Sequence, residues 1–227
     1  MGRPKRADVA GEIYHMLNRA NSRHTIFHKK EDYDAFENLM AEAVSNFDIR
    51  IFSYCIMPNH WHFVVSPNVD GEMGRFGQWV TLTHTQRYHA HYDTVGMGHL
   101  YQGRYKSFPV QSDEHFLTLS RYVERNAFTA NLCSSPDQWK WDSLFHWKRQ
   151  TSVYQSMLSD WPIPRRSNWI EWVRMEFSQR EQAQIDWSMR RGVPFGSENW
   201  VESMVRKFEL ESTMRPRGRP RKIKPEA

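Results

Sequence analysis

Two apolar runs, "IRIFSYCIM" over residues 49–57 and "HWHFVVS" over residues 60–66, are separated only by Pro58-Asn59. Both are rich in β-branched and aromatic residues, and the dipeptide between them is turn chemistry whose proline cannot donate to a ladder. The pair predicts a β-hairpin. Phe63, Val64 and Val65 carry the apolar character over successive positions, which marks the second strand as central in its sheet. His60 and His62 therefore fall in the most apolar part of the chain, where a polar side chain costs free energy unless something binds it.

The segments around this hairpin set the fold class. "EIYHMLNR", residues 12–19, reads as a strand with Ile13, His15 and Leu17 on one face. Residues 31–47 place Tyr33, Phe36, Leu39, Met40, Ala43, Val44 and Phe47 at helical spacing, with Glu31, Asp32 and Asp34 in the first turn where the helix dipole favours them. Residues 75–92 predict a second helix and "GHLYQGRYKSFPVQ" an extended segment around Gly103. "SDEHFLTLSRYVERNAF" predicts a third helix capped by Ser112 or Asp113. The order strand, helix, strand, strand, helix, strand, helix suits an α+β domain over residues 12–130, an antiparallel sheet with helices on one face.

The flanks divide by composition. Residues 1–11 form a basic N-terminal arm, and residues 131–166 a Trp-rich segment with a linker at Pro162 and Pro164. Residues 167–212 form a helical extension, with helices over 167–190 and 197–211; the second sets Val201, Met204, Val205 and Phe208 on one face behind a Ser197 cap. Residues 213–227 form a basic tail, in which Arg215, Arg217, Arg219, Arg221, Lys222 and Lys224 face only Glu226. That balance equals the whole formal net charge of +5. A basic tail on a neutral body points to a polyanion as partner. The two cysteines make no disulfide framework, and no window reaches the roughly 20 apolar residues of a membrane span, so a soluble, cytoplasmic protein is expected.

On a strand, residues two apart share a face, so His60 and His62 project side by side and could chelate one cation. A polar strand edge would carry the same pair, although the apolar flanks weigh against an edge. His89 and His91 have the same spacing inside a helix, where they diverge and read as surface histidines. The third helix carries an apolar stripe of Phe116, Leu119, Val123 and Ala127. Tyr122 and Asn126, four apart, lie one above the other on its flank, and His115 falls on the same line. A phenol and an amide so placed could attack a phosphodiester and hold a metal; an amphipathic tyrosine with a packed ring and a wet hydroxyl would look the same.

"MPNHWHFVV", "LYQGRYKSF" and "RYVERNAFTANL" together resemble the single-tyrosine transposases of the HUH nuclease superfamily, and among them the REP-associated tyrosine transposases. The resemblance implies a ferredoxin-like antiparallel sheet. It implies a divalent metal, Mg²⁺ or Mn²⁺, on His60, His62 and Asn126, with Tyr122 as the catalytic nucleophile; His115, from its place on the helical line of Tyr122, is a further candidate for lining the site. The implied reaction is endonuclease cleavage and strand transfer on single-stranded DNA beside palindromic repeat hairpins, through a 5′-phosphotyrosine. Two imidazoles and an amide are neutral ligands that leave positions open for phosphate and water, unlike a closed zinc site.

"RPRGRPRK", residues 215–222, resembles an AT-hook, whose arginines enter a narrow A·T minor groove; a solvated tail binding any phosphate backbone is the other reading. DNA contacts are thus expected at Arg215, Arg217, Arg219, Arg221 and Lys222, with the C-terminal helices and tail gripping a hairpin stem. Oligomeric state is open, with a monomer favoured over a dimer that shares sites. Three rivals make distinct predictions. A replication initiator or relaxase would share the histidine pair, a catalytically silent DNA-binding regulator would not need Tyr122, and a zinc hydrolase would leave the tail unexplained.

Overall fold

The computed structural model describes residues 6–215. Its strands β1 (Ile13–Arg19), β2 (Ile49–Met57), β3 (His60–Pro67) and β4 (Lys106–Val110) form one antiparallel sheet in the order β2-β3-β1-β4. Helix α1 (Lys30–Asn46) follows β1, α2 (Glu72–His91) follows β3 and α3 (Glu114–Thr129) follows β4. This is the expected order of elements with the expected hairpin, and β3 is central, paired to β2 and β1. The Pro58 carbonyl accepts from the backbone N–H of Ile26 and Phe27, so the turn is anchored from outside. Helix α2 begins earlier than its periodicity suggests, because Asp8 accepts from the N–H groups of Met73 at 3.1 Å and Gly74 at 2.6 Å and so satisfies its first turn.

The expectation of helices on one face needs correction. Tyr14, Met16, Trp61, Phe63 and Val65 point to one side, where Tyr33, Phe36, Leu39 and Met40 of α1 and Met73, Phe76 and Val80 of α2 cover them. Ile13, Cys55, Val64, Phe108 and Val110 point to the other, beneath Phe116, Leu119, Val123 and Ala127 of α3. The physical reason lies in the strands themselves: β2 and β3 are apolar on both faces, and a two-layer fold would leave Phe52, Val64 and Phe108 in water. A bulge between Ile51 and Ser53 shifts the register of β2 against β3.

The chain then continues through α4 (Ser143–Arg149), α5 (Ser152–Met157), α6 (Trp169–Arg174), α7 (Gln179–Arg191), α8 (Glu198–Lys207) and α9 (Glu211–Met214). The single helix expected over residues 167–190 is broken in two, because Ser178 and Glu181 form a capping box that starts α7 afresh. The stretch around Pro162 and Pro164, expected as a linker, is packed: Trp161 Nε1 donates to the Phe52 carbonyl at 2.7 Å. Upstream, Ile56 N donates to the Trp141 carbonyl and Trp139 Nε1 to the Ile56 carbonyl, so the Trp-rich segment runs along the outer edge of β2. At the opposite edge, Phe195 exchanges backbone hydrogen bonds with Pro109 and Gln111 beside β4. Both sheet edges are thereby partly covered against pairing with another chain. Among the described residues, no helix is long and apolar enough to cross a membrane.

One buried carboxylate ties this C-terminal part to α3. Glu124 is fully buried and accepts from Ser143 Oγ at 2.7 Å, Trp169 Nε1 at 2.7 Å and the Arg165 guanidinium at 3.1 Å. Glu124→Ala is expected to lower the free energy of unfolding by about 3–5 kcal/mol, because it removes the buried carboxylate of an ion pair and takes the acceptor from Ser143 and Trp169. Arg87→Ala, which removes only an exposed pair with Glu42, should cost about 1 kcal/mol or less. Urea unfolding curves separate the two, and equal midpoint shifts would contradict this reading.

Candidate active site

The alternation of β3 sends Trp61 to the α1–α2 side, where its Nε1 donates to the Tyr101 hydroxyl at 3.1 Å. His60 and His62 go to the α3 side, their ring centroids 5.0 Å apart. Tyr122 presents its ring to His62 at 5.9 Å and 77°. One turn further along α3, Asn126 donates from Nδ2 to the Tyr122 carbonyl at 2.8 Å and the Val123 carbonyl at 3.3 Å. With its amide nitrogen committed to the helix, the oxygen Oδ1 is the atom left to meet a ligand. His60, Tyr122 and Asn126 line one cleft of about 320 Å³ together with Arg19, Met57 and Gln182, and His62 sits behind them.

The ring nitrogens have defined partners. His60 Nδ1 lies 2.6 Å from Asn59 Oδ1, which makes that nitrogen the donor and Nε2 the lone-pair atom. His62 Nδ1 lies 2.9 Å from His15 Nε2, whereas His62 Nε2 is buried with no hydrogen-bond partner. Burial holds all three imidazoles neutral: it lowers the pKa of His15 and of His60 to about 3, with Arg19 adding to the effect on His60, and places His62 well below the ordinary range. Burial also raises the Tyr122 phenol above its usual value, with Asp186 adding to the shift and Arg19 opposing it.

A cation fits this donor set. An orphaned imidazole nitrogen, a second imidazole with its proton held elsewhere and an amide oxygen free of the helix are neutral groups that a cation can use. Among the described residues, no group of three or more His, Cys, Asp or Glu side chains could hold a metal, so a zinc cage of such ligands is absent there.

Of the residues singled out in the sequence, His60, His62, Tyr122 and Asn126 come together, and His115 does not. Its seven-residue offset from Tyr122 is about 10 Å along the helix. There Nδ1 pairs with Asp113 at 2.8 Å and the ring meets Phe195 at 5.3 Å, away from the cleft. His89 and His91 are engaged separately, by Thr94 and Lys29. Arg217, Arg219, Arg221 and Lys222 lie outside the described residues, and the Arg215 carbonyl accepts from Arg191.

Arg19, His15, Phe177 and Gln182 join the site without having been read from the sequence. Arg19 stands opposite His60 in the β1–β3 register, and Phe177 packs on Tyr122 at 6.1 Å between ring centroids. The signal for Arg19 and His15 was a polar residue on the core-facing side of a strand. Nothing local marks Phe177 or Gln182, which arrive through tertiary packing.

The family profile of the IS200-like transposases matches residues 8–126, more than half of the chain. No curated protein matches. Among solved structures, a REP-associated tyrosine transposase bound to a REP hairpin aligns with a TM-score of 0.54 at 13% identity, over 70% of this chain and 92% of that one. A crystal structure from Deinococcus radiodurans R1 with a provisional transposase name aligns at 16% identity over 55% of this chain and 95% of that one, with a TM-score of 0.38.

The buried neutral histidines dictate an acid response. His15, His60, His62 and His84 all have pKa values depressed by burial, so between the ordinary value near 6.5 and about 3 the unfolded chain binds protons that the folded one refuses. Stability is full above pH 6.5 and declines below it, by up to about 1.4 kcal/mol per pH unit for each ring. Asp8 and Asp142, whose carboxyls burial raises, act in the opposite sense but are two groups against four. Thermal unfolding in the presence of chelator should show a falling melting temperature from pH 6.5 to 5; a flat or rising profile would contradict the assignment.

Proposed function

The chain belongs to the IS200-like transposase family, and from that premise we propose that it cleaves and rejoins single-stranded DNA beside palindromic hairpins through a covalent link to Tyr122. The observation that carries this reading is the convergence of Tyr122, from α3, on His60 and His62, from β3, and on Asn126, one helical turn away. An amphipathic tyrosine of the bland kind would have no reason to meet two neutral imidazoles in a cleft.

In this mechanism the phenolic oxygen of Tyr122 attacks the scissile phosphorus and the bond to the 3′ oxygen breaks. A 5′-phosphotyrosine and a free 3′-hydroxyl result, the phenol proton ending on that hydroxyl. Rejoining is the reverse reaction, so no external energy source is consumed. The attack needs the phenolate, which burial opposes and the Arg19 cation favours. Arg19 also faces the position where phosphate charge would gather, and is assigned to hold it. His60 and His62, being neutral, serve as ligands and not as proton donors. A divalent cation bound by His60, His62 and Asn126, Mg²⁺ or Mn²⁺, would polarise the phosphate.

The hairpin enters as partner because the structural neighbour is bound to a REP hairpin. The basic residues from Arg215 onward are assigned to the duplex stem, where arginines neutralise phosphate or enter the minor groove. His60, His62, Tyr122 and Asn126 meet within one chain, so cleavage by a monomer is the reading adopted.

Denaturing gels with labelled hairpin oligonucleotides test the proposal. With Mg²⁺ or Mn²⁺ a covalent protein–DNA adduct is expected, absent in Tyr122→Phe and with chelator. Arg19→Ala should slow its formation by about 10²-fold or more. Hairpin binding with no adduct under any metal would favour a silent DNA-binding regulator instead.

A further inference from the structure

We propose that His15 is a positioning residue: it accepts the Nδ1 proton of His62 and so leaves the lone pair of His62 on Nε2. The inference rests on the metal reading above.

His15 and His62 are each only 1% exposed, and His15 Nε2 lies 2.9 Å from His62 Nδ1. Between two neutral rings at that distance, one nitrogen carries the proton and the other accepts it. If His15 donates, the proton of His62 moves to Nε2, a buried atom with no partner in the protein. That leaves a buried donor unsatisfied and blocks the lone pair a cation would need. If His62 donates, its Nε2 keeps a free lone pair and the proton of His15 resides on its own Nδ1. Only the second arrangement agrees with a cation on His62.

The sheet makes His15 a rigid acceptor. Its strand is paired on both sides, with Val64 and Phe108 as its partners across the ladders. Leu17, two residues on, stands directly opposite His62, so the His15 ring reaches His62 along the diagonal. The Phe108 ring stacks on it with centroids 4.8 Å apart and 28° between the planes. A metal-bound histidine ordinarily gives its second N–H to a carboxylate, a carbonyl or water. Here the acceptor is a neutral imidazole, which draws less electron density into the ligand than a carboxylate and suits a cation that exchanges.

The test is Mn²⁺ affinity, read from the electron paramagnetic resonance signal of free Mn²⁺ during titration without DNA. His15→Leu, which keeps the volume and removes the acceptor, should weaken binding about 10-fold or more, whereas His15→Gln, whose Oε1 can accept the same hydrogen bond, should remain within about threefold of the wild type. A packing role alone would lower the melting temperature of both variants without separating their affinities, and that result overturns the inference. Wild-type binding lost in His60→Ala but untouched by His15→Leu also overturns it, while leaving the metal site standing. No Mn²⁺ binding by the wild type, or binding that survives His60→Ala, would sink the metal reading itself. Should His15→Leu fail to fold, long-range proton–nitrogen spectra of the wild type decide the matter: a proton on His62 Nδ1 is required, and one on Nε2 contradicts the assignment.

Discussion

A strand buried on both faces has to send alternate side chains into two different cores, and β3 is such a strand. Trp61, Phe63 and Val65 take one side and His60, His62 and Val64 the other, so the two histidines are committed to whatever covers the second face. That cover is α3. A shift of pairing by one residue would bury the histidines under α1 and α2 and turn Trp61 toward α3, which ties the geometry of the site to the register of the hairpin.

The second half of the chain serves this arrangement. Arg121, one residue before the tyrosine, is 2% exposed and donates to the carbonyls of Trp172, Met175 and Glu176, its guanidinium lying between the rings of Trp172 and Phe177. Glu124, two residues after it, gathers Ser143, Arg165 and Trp169. Buried charges are costly unless every partner is in place, so these two residues specify where α3 lies against the C-terminal helices. Phe177 is carried onto Tyr122 by the same contacts. The extension thus walls Tyr122.

Much of this was legible in the residues. Two β-rich apolar runs on either side of Pro58-Asn59 marked the hairpin, and i, i+4 spacing aligned Tyr122 with Asn126, because both signals are local. The second cover on the sheet was not inferred, although the unbroken run Phe63-Val64-Val65 already implied two buried faces. The Trp-rich stretch read as decoration and linker, since its role along the β2 edge depends on hydrogen bonds to Ile56 and Phe52 far away in sequence. His115 shared the helical line of Tyr122 but lies too far along the axis to reach the cleft. His15 was visible as a histidine on a strand face; its meaning required the register that sets it diagonal to His62.

In the proposed site one hairpin and one helix hold a single cation beside the tyrosine. Anomalous diffraction from crystals grown with Mn²⁺ measures this most directly. One strong peak is expected, bounded by His60 Nε2, His62 Nε2 and Asn126 Oδ1, beside Tyr122. A peak elsewhere, or none at these three atoms under saturating Mn²⁺, would contradict it.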